Sequence, residues 1–505
     1  MPGQVLHRLE ESKLRSKKVS AHKYRFQMYK ELHKNIPAIY AEAKSFAKDI
    51  GITSDIAGKL GLTGAVSGCH GLLTREVSNA IDSASRKVIA NKFLVEEVRE
   101  IVKDVYGDEY DAAPINTCEA GLWVSLDCLV SPPMQGRGSN YHSRYIVPFE
   151  RHLHHHGAYG RPFPPRFKDL FADRGVTAGE FGFSGKRLEN TEAVFVPLEG
   201  AKYEIHGIKQ HPAVLIAGHD AKKTLTRLEE VAARQAPSVT AFSSLGYDTI
   251  GYGYGTQDSE GVPLLQTGIS RLARQYGVPY IVDNAWGTPF IGTDPRKIGA
   301  DVINYSMDKS AGAPTVGLII GREDLMVPIR RALGYHSDRG GTGYSYGKAA
   351  YVTNDPGKEA LVGLIATLKV LRDKPKTMLD PLNELLSIVV EEFKALPKQF
   401  QSGLLITKSL NSLAVEINYE NTWKDGNAGI PIFTIEDFYA GTGIFDAGMT
   451  QMGIIPTIAY DANIFISPGL GTLDEEGNLL KEESRKIVKA LVGLMNITCK
   501  YAGVA

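Results

Sequence analysis

Cysteine is scarce and dispersed. Cys69, Cys118, Cys128 and Cys499 are the four cysteines, and no two form a CxxC pair. That spacing suggests neither a disulfide framework nor a zinc site, and it fits a reducing cytoplasm. An excess of either charge is missing as well. Lys+Arg and Asp+Glu both total 57, giving a formal net charge of zero. This argues against a generally basic, nucleic-acid-coating surface, although a local patch is compatible with it. No uninterrupted apolar run approaches the ~20 residues that a membrane helix needs. The first residues, MPGQVLHRLEESKLRSKK, are charged and lack an apolar signal core. A cytoplasmic protein with no membrane partner is expected. Internal repeats and low-complexity linkers are absent too.

What is present suits a globular enzyme. A chain of 505 residues is too long for one simple core, and its 43% hydrophobic and 23% charged content is ordinary for a folded protein. Glycine is abundant at 52 residues, as expected where many turns approach a ligand closely. Residues 1–63 read as a polar-rich helical arm that packs on the body or on a second subunit. A Gly-rich loop then leads into a helix over 64–82, and FLVEEVREIVKDVYG places Leu94, Val98, Ile101, Val102 and Val105 on one helical face. Residues 119–130 form a helix after a loop. Strands are expected at 143–149, 212–218, 238–244, 279–285, 300–306 and 316–321, with helices at 222–235 and 269–277. Strands separated by helices imply a mostly parallel α/β sheet covered on both faces. Two long amphipathic helices, short strand pieces and a final helix follow, so 64–350 is read as a large domain and 351–505 as linking helices and a small α+β domain.

Ligands in such sheets sit beyond the carboxyl ends of the strands. Asp283 ends Tyr280-Ile281-Val282-Asp283, and Lys309 follows the next apolar strand, in YSMDKSAGAPTVGLIIG. A carboxylate and a lysine at the ends of consecutive strands form the core of a pyridoxal-phosphate site. The lysine holds the cofactor aldehyde as a Schiff base, and the aspartate keeps the pyridine nitrogen protonated. Each residue alone has a plainer reading. Lys309 could be a solvated turn residue, and Asp283 could bind a metal or cap a helix. Ser306 could give a hydroxyl to a phosphate. Upstream, Thr117 with the backbone amides of Cys118, Glu119, Ala120 and Gly121 would make an anion cup at a helix N-terminus. An ordinary Thr N-cap explains the same residues. Ser243, Ser244 and Tyr247 follow the strand before Asp283, where they could contact the cofactor's phenolic oxygen or the substrate, or simply end a strand.

The order TCEAG-helix, VDNAWG, SMDKSAGAPTVGLIIG resembles fold-type I pyridoxal-phosphate enzymes, over roughly residues 65–345. The lysine segment is most similar to the selenocysteine synthase and O-phosphoseryl-tRNA selenium transferase group. The resemblance implies a three-layer α/β/α large domain, a smaller C-terminal domain, and a homodimer or higher oligomer. It implies a small amine, amino-acid or amino-sugar-acid substrate, and elimination or replacement at the β-carbon. An aminotransferase, or a tRNA-linked selenium or sulfur transferase-like protein, is the alternative. In such enzymes a side chain near ERHLHHHGAYGRP stacks on the cofactor ring, which points to His154 or His155; an exposed histidine cluster is the plainer reading, and a metal site would need further ligands. The loop after the lysine strand often reaches a neighbouring subunit's cofactor phosphate, which points to Thr342 and Arg339, and Arg339 could instead grip a substrate carboxylate. The strand piece ANIFISPG has no arginine where many relatives carry one, which argues against an ordinary α-amino-acid aminotransferase. Two nucleotide-like stretches fail on spacing. GEFGFSGKR has Glu180 and Arg187 at positions where a phosphate loop needs glycine and Ser or Thr, and GYGYGTQ lacks the third dinucleotide glycine.

Overall fold

The computed structural model describes residues 21–63, 73–129, 144–149, 209–214, 221–236, 239–249, 254–333, 354–426, 428–433, 443–457 and 462–504. In chain order the strands are β1 (Leu60–Gly61), β2 (Tyr110–Ile115), β3 (Arg144–Phe149), β4 (Lys209–Val214), β5 (Val239–Leu245), β6 (Tyr280–Asn284), β7 (Val302–Ser306), β8 (Gly317–Arg322), β9 (Leu405–Ser409), β10 (Ala414–Asn418), β11 (Ile454–Ile455) and β12 (Asn463–Ile466).

Seven of them form one sheet in the order β2-β8-β7-β6-β5-β3-β4. The pairings from β4 through β7 are parallel, whereas β8 runs antiparallel to both β7 and β2. The cause lies in the connections. A helical crossover such as Leu264–Tyr276 separates β5 from β6, but only residues 307–316 join β7 to β8. So short a link, with no crossover helix, turns the chain back on itself.

Strand β2 was not foreseen, because Asp111 and Pro114 disfavour a central strand. It lies at the sheet edge, where a proline lacking its N–H is tolerated.

Side-chain alternation sorts the sheet into two apolar faces. On one, Ala112, Val282, Ile303, Leu318 and Ile320 pack against the helices Asn91–Tyr106, Leu264–Tyr276 and Lys358–Asp373. On the other, Ala113, Ile115, Val302 and Ile319 meet the helices Cys118–Leu129 and Glu323–Leu333, and Ile281 packs with Leu122 and Leu126. The large unit is therefore a three-layer α/β/α structure.

A second core surrounds the antiparallel sheet β12-β10-β9. It joins Val415 and Ile417 to the helices Lys376–Glu392 and Lys481–Ala502. The first described helices, Ala21–His33 and Ile36–Asp49, belong to this core through Met28, Leu32, Ile39 and Ala43. Arg25 fixes the first of them, with its guanidinium bidentate on Glu420 (3.2 and 3.0 Å) and 4.6 Å from the Trp423 ring centroid. Among the described residues no helix is long and apolar enough to cross a membrane.

Candidate functional site

Strand β6 is buried along its whole length, and Asp283 lies near its carboxyl end with only 5% of its surface exposed. Strand alternation puts Asp283 on the face covered by the helix Cys118–Leu129. There its Oδ1 accepts the Ala285 amide at 3.1 Å and stands 3.9 Å from the Cys118 Sγ. Cys118 links the three sequence motifs. Burial pushes its thiol well above the ordinary range, the Asp283 charge pushes the same way, and Lys309 opposes them.

Thr117 starts that helix. Its Oγ1 accepts the Ala120 amide at 3.1 Å and its carbonyl accepts the Gly121 amide at 3.0 Å. Two of the four amides expected in an anion cup are therefore turned into the helix itself, and Thr117 acts as an N-cap here. The helix start is held close to the sheet by Gly317, where a Cβ would stand 2.5 Å from the Thr117 carbonyl carbon. Gly121 gives the same clearance to Asn304, whose Oδ1 would be 2.7 Å from an added Cβ.

Lys309 sits in the turn after β7. Its amide donates to the Ser306 carbonyl (3.3 Å), its carbonyl accepts the Gly312 amide (3.1 Å), and the Ala313 amide returns to the Met307 carbonyl (2.8 Å). Gly312 has φ +75, a left-handed conformation that the tight return requires. The Lys309 amine forms no hydrogen bond or salt bridge with a described residue. Since β6 and β7 are parallel neighbours, Asp283 and Lys309 emerge at the same end of the sheet.

The serines divide by strand alternation. Ser243 pairs in register with Ile281, on the Asp283 face, and its buried hydroxyl has no hydrogen-bond partner among the described residues. Ser244 points to the opposite face, where its hydroxyl bonds the Tyr280 hydroxyl and the Leu245 carbonyl. The structure therefore does not bring Ser244 to Asp283; Ser243 is the serine on that face. The Ser306 hydroxyl donates to the Asp308 carboxylate at 2.6 Å. Tyr247 is buried between Tyr254 and Trp286, with ring centroids at 5.8 and 6.3 Å. Glu119 lies in the first turn of the Cys118–Leu129 helix. His154, His155, Arg339 and Thr342 lie outside the described residues.

Sequence reasoning missed the seam that joins the large unit to the small one. Asn284, next to Asp283, exchanges two side-chain amide bonds with Asn411 (3.0 and 2.8 Å). Asp248 accepts the Ser409 hydroxyl (2.6 Å) and the amides of Leu410 and Asn411 (2.9 and 3.1 Å). Trp286 meets Phe465 edge-on at 5.4 Å. Each partner is more than a hundred residues away in the chain, so no local pattern announces it. The glycines of LGYD and AWGT were the available signal: an added Cβ at Gly246 or Gly287 would collide with Asn284 at 2.2 or 2.0 Å.

No family model matches this chain. Solved structures are similar to it over most of its length. A complex described as SepCysS with the SepCysE N-terminal domain shares 12% identity, with 87% of this chain and 95% of that one covered, at a TM-score of 0.49. D-Glucosaminate-6-phosphate ammonia-lyase shares 16% identity over 86% and 95% of the two chains, at 0.44. Ureidoglycine–glyoxylate aminotransferase from Bacillus subtilis shares 13% over 86% and 94%, at 0.47.

Proposed function

We propose that this protein is a pyridoxal-phosphate-dependent enzyme that acts on a small amine of the amino-acid type. The carrying observation is that a buried carboxylate and an amine with no hydrogen bond or salt bridge to a described residue emerge at the same end of neighbouring parallel strands. The donor set fits the cofactor. A carboxylate fixed by a backbone amide suits a protonated ring nitrogen, and an amine with no anion bonded to it among the described residues suits an aldehyde. The orphan Ser243 hydroxyl on the same face is a further polar group that a ligand would satisfy.

When bound, pyridoxal phosphate supplies an electron sink for a carbanion at the substrate's α-carbon. The protein's own part is positional and protic. Asp283 keeps the ring nitrogen protonated. Cys118, a neutral thiol, leaves that negative charge uncontested. Lys309 holds the cofactor and carries the proton at the α-carbon as general acid and base. The resemblance of the lysine segment to the selenocysteine synthase group favours loss or replacement of a β-substituent over amino transfer. The same resemblance favours an oligomer whose second subunit completes the site.

The test is spectroscopic and covalent. Purified protein mixed with pyridoxal phosphate should develop the visible band of a lysine-linked cofactor. Borohydride should then fix the cofactor on the peptide containing Lys309, and Lys309→Ala should lose both signals. No band after cofactor addition sinks the proposal, and fixation on another lysine sinks the residue assignment.

A further inference from the structure

We infer that the chamber beside Lys309 receives an uncharged, mainly apolar side chain that carries a hydrogen-bonding group. The inference rests on the proposed role of Lys309 as cofactor-bearing residue, and it adds the class of amine. The chamber lies between the two units. Its floor is the Lys309 turn, with Ser310 beside the lysine, and its walls include Thr367, Thr377, Leu413 and Leu473. It holds a group of a few non-hydrogen atoms. The helix Lys358–Asp373 reaches this turn because Gly363 lets it lie against Pro314, where an added Cβ would be 2.4 Å away.

Three observations select the occupant. First, Lys309 is the one charged residue among the described residues that line the chamber. Once its amine is linked to a cofactor, a carboxylate or phosphate entering there would lose its water without gaining a counter-charge from any described lining residue, which is strongly unfavourable. Second, Thr367 is only 2% exposed, and neither its hydroxyl nor that of Ser310 has a hydrogen-bond partner among the described residues. Buried hydroxyls are ordinarily satisfied, and a helical threonine has two χ1 wells through which its hydroxyl can turn to a ligand. Third, Leu413 presents its side chain to the chamber from a backbone at φ 47. Such a conformation persists in a non-glycine residue only where its surroundings impose it, and it concentrates at ligand sites.

Butyramide and butyrate separate these requirements, because they match in shape and differ in charge, and neither carries an amine. Saturation-transfer NMR on the full-length protein loaded with pyridoxal phosphate should show butyramide bound and butyrate at least about tenfold weaker. Thr367→Val should weaken butyramide by about fivefold, the worth of one hydrogen bond. Thr377→Phe, at a partly exposed rim position, should fill the chamber and abolish binding. If that variant misfolds by circular dichroism, Thr367→Val decides alone. Equal or tighter butyrate binding, no butyramide binding, or butyramide affinity unchanged in Thr367→Val overturns the inference. The visible cofactor band is read on the same samples. A band without butyramide binding rejects the chamber alone, whereas butyramide binding without a band rejects the cofactor reading and with it the assignment to an amine's side chain.

Discussion

At the scale of single residues, the site depends on clearances as much as on functional groups. Asp283 can meet Cys118 only because the helix start at Thr117 lies against β8, and Gly317 is the residue that permits this. An alanine there would drive its Cβ to 2.5 Å from the Thr117 carbonyl carbon. The obstacle is backbone, so no side-chain rotation relieves it. Gly317→Ala should lower stability by about 1–3 kcal/mol, as overpacking does, and should weaken cofactor binding because Cys118 moves with the cap. Urea unfolding and a titration of the visible band would read the two effects, and a wild-type result in both would reject the account. The residues of this clearance were partly visible in the sequence. TCEAG announced a helix start and SMDKSAG a small-residue loop after a strand. That the two amides of Ala120 and Gly121 belong to the helix, and that Ser243 rather than Ser244 shares the Asp283 face, required the strand register, which spacing alone does not supply.

At the scale of elements, the seam between β5 and the β9–β10 turn joins a titrating group to a neutral one. The Asn284–Asn411 pair carries no charge. Asp248 does, and burial raises its carboxyl above the ordinary value of 3.8, while the bonds from Ser409, Asn411 and Leu410 oppose that shift. A carboxyl whose folded-state pKa is raised binds its proton more tightly in the native protein than in the unfolded chain. Its contribution to stability is therefore fullest below pH 3.8 and declines as pH rises through the folded-state value. Asp248→Asn, which cannot ionise, should remove that decline, so the stability difference between wild type and variant should change with pH above about 4. Denaturant midpoints measured in steps from pH 4 to 7 would show it, and parallel profiles would exclude it. Removing the acceptor altogether in Asp248→Ala should cost about 2–3 kcal/mol, because bonds to a charged group are lost. The helices and most strands of this seam were legible in the sequence, whereas their pairing was not. Ser409 and Asp248 lie 161 residues apart, and hydrophobic periodicity carries no information about such partners.

At the scale of the whole molecule, the three layers of the large unit are fastened at the open edge of the sheet. Asp111 on β2 is completely buried. Arg99, from the helix on one face, holds it in two bonds of 2.8 and 3.0 Å, and Arg330, from the helix on the other face, bonds the same carboxylate. One edge residue thereby joins both helical layers, and the charges around it also discourage another strand from pairing there. Asp111→Ala would leave the buried Arg330 guanidinium without its main counter-ion, and should destabilise the protein by about 3–5 kcal/mol, read as a fall in the urea midpoint. A loss below 1 kcal/mol would show that Arg330 finds another partner. The three-layer plan was legible from the alternation of strands with helices. The edge strand was not, because Asp111 and Pro114 are poor strand formers whose fitness comes only from their place at the rim.

The turn that carries Lys309 also has a consequence for the order in which the chain folds. Strands β7 and β8 pair directly, Ser306 with Gly317, and the Met307 amide closes the link on the Val316 carbonyl at 2.9 Å. These contacts span few residues, so their loop-closure entropy is small. The carboxylate's surroundings lie at the other extreme, since Cys118 meets Asp283 across 165 residues. Local hairpins close before such distant pairs. The Lys309 turn is thus expected to form before Asp283 is enclosed, so under the proposed function a cofactor held by both groups would report completion of the large unit rather than its first collapse.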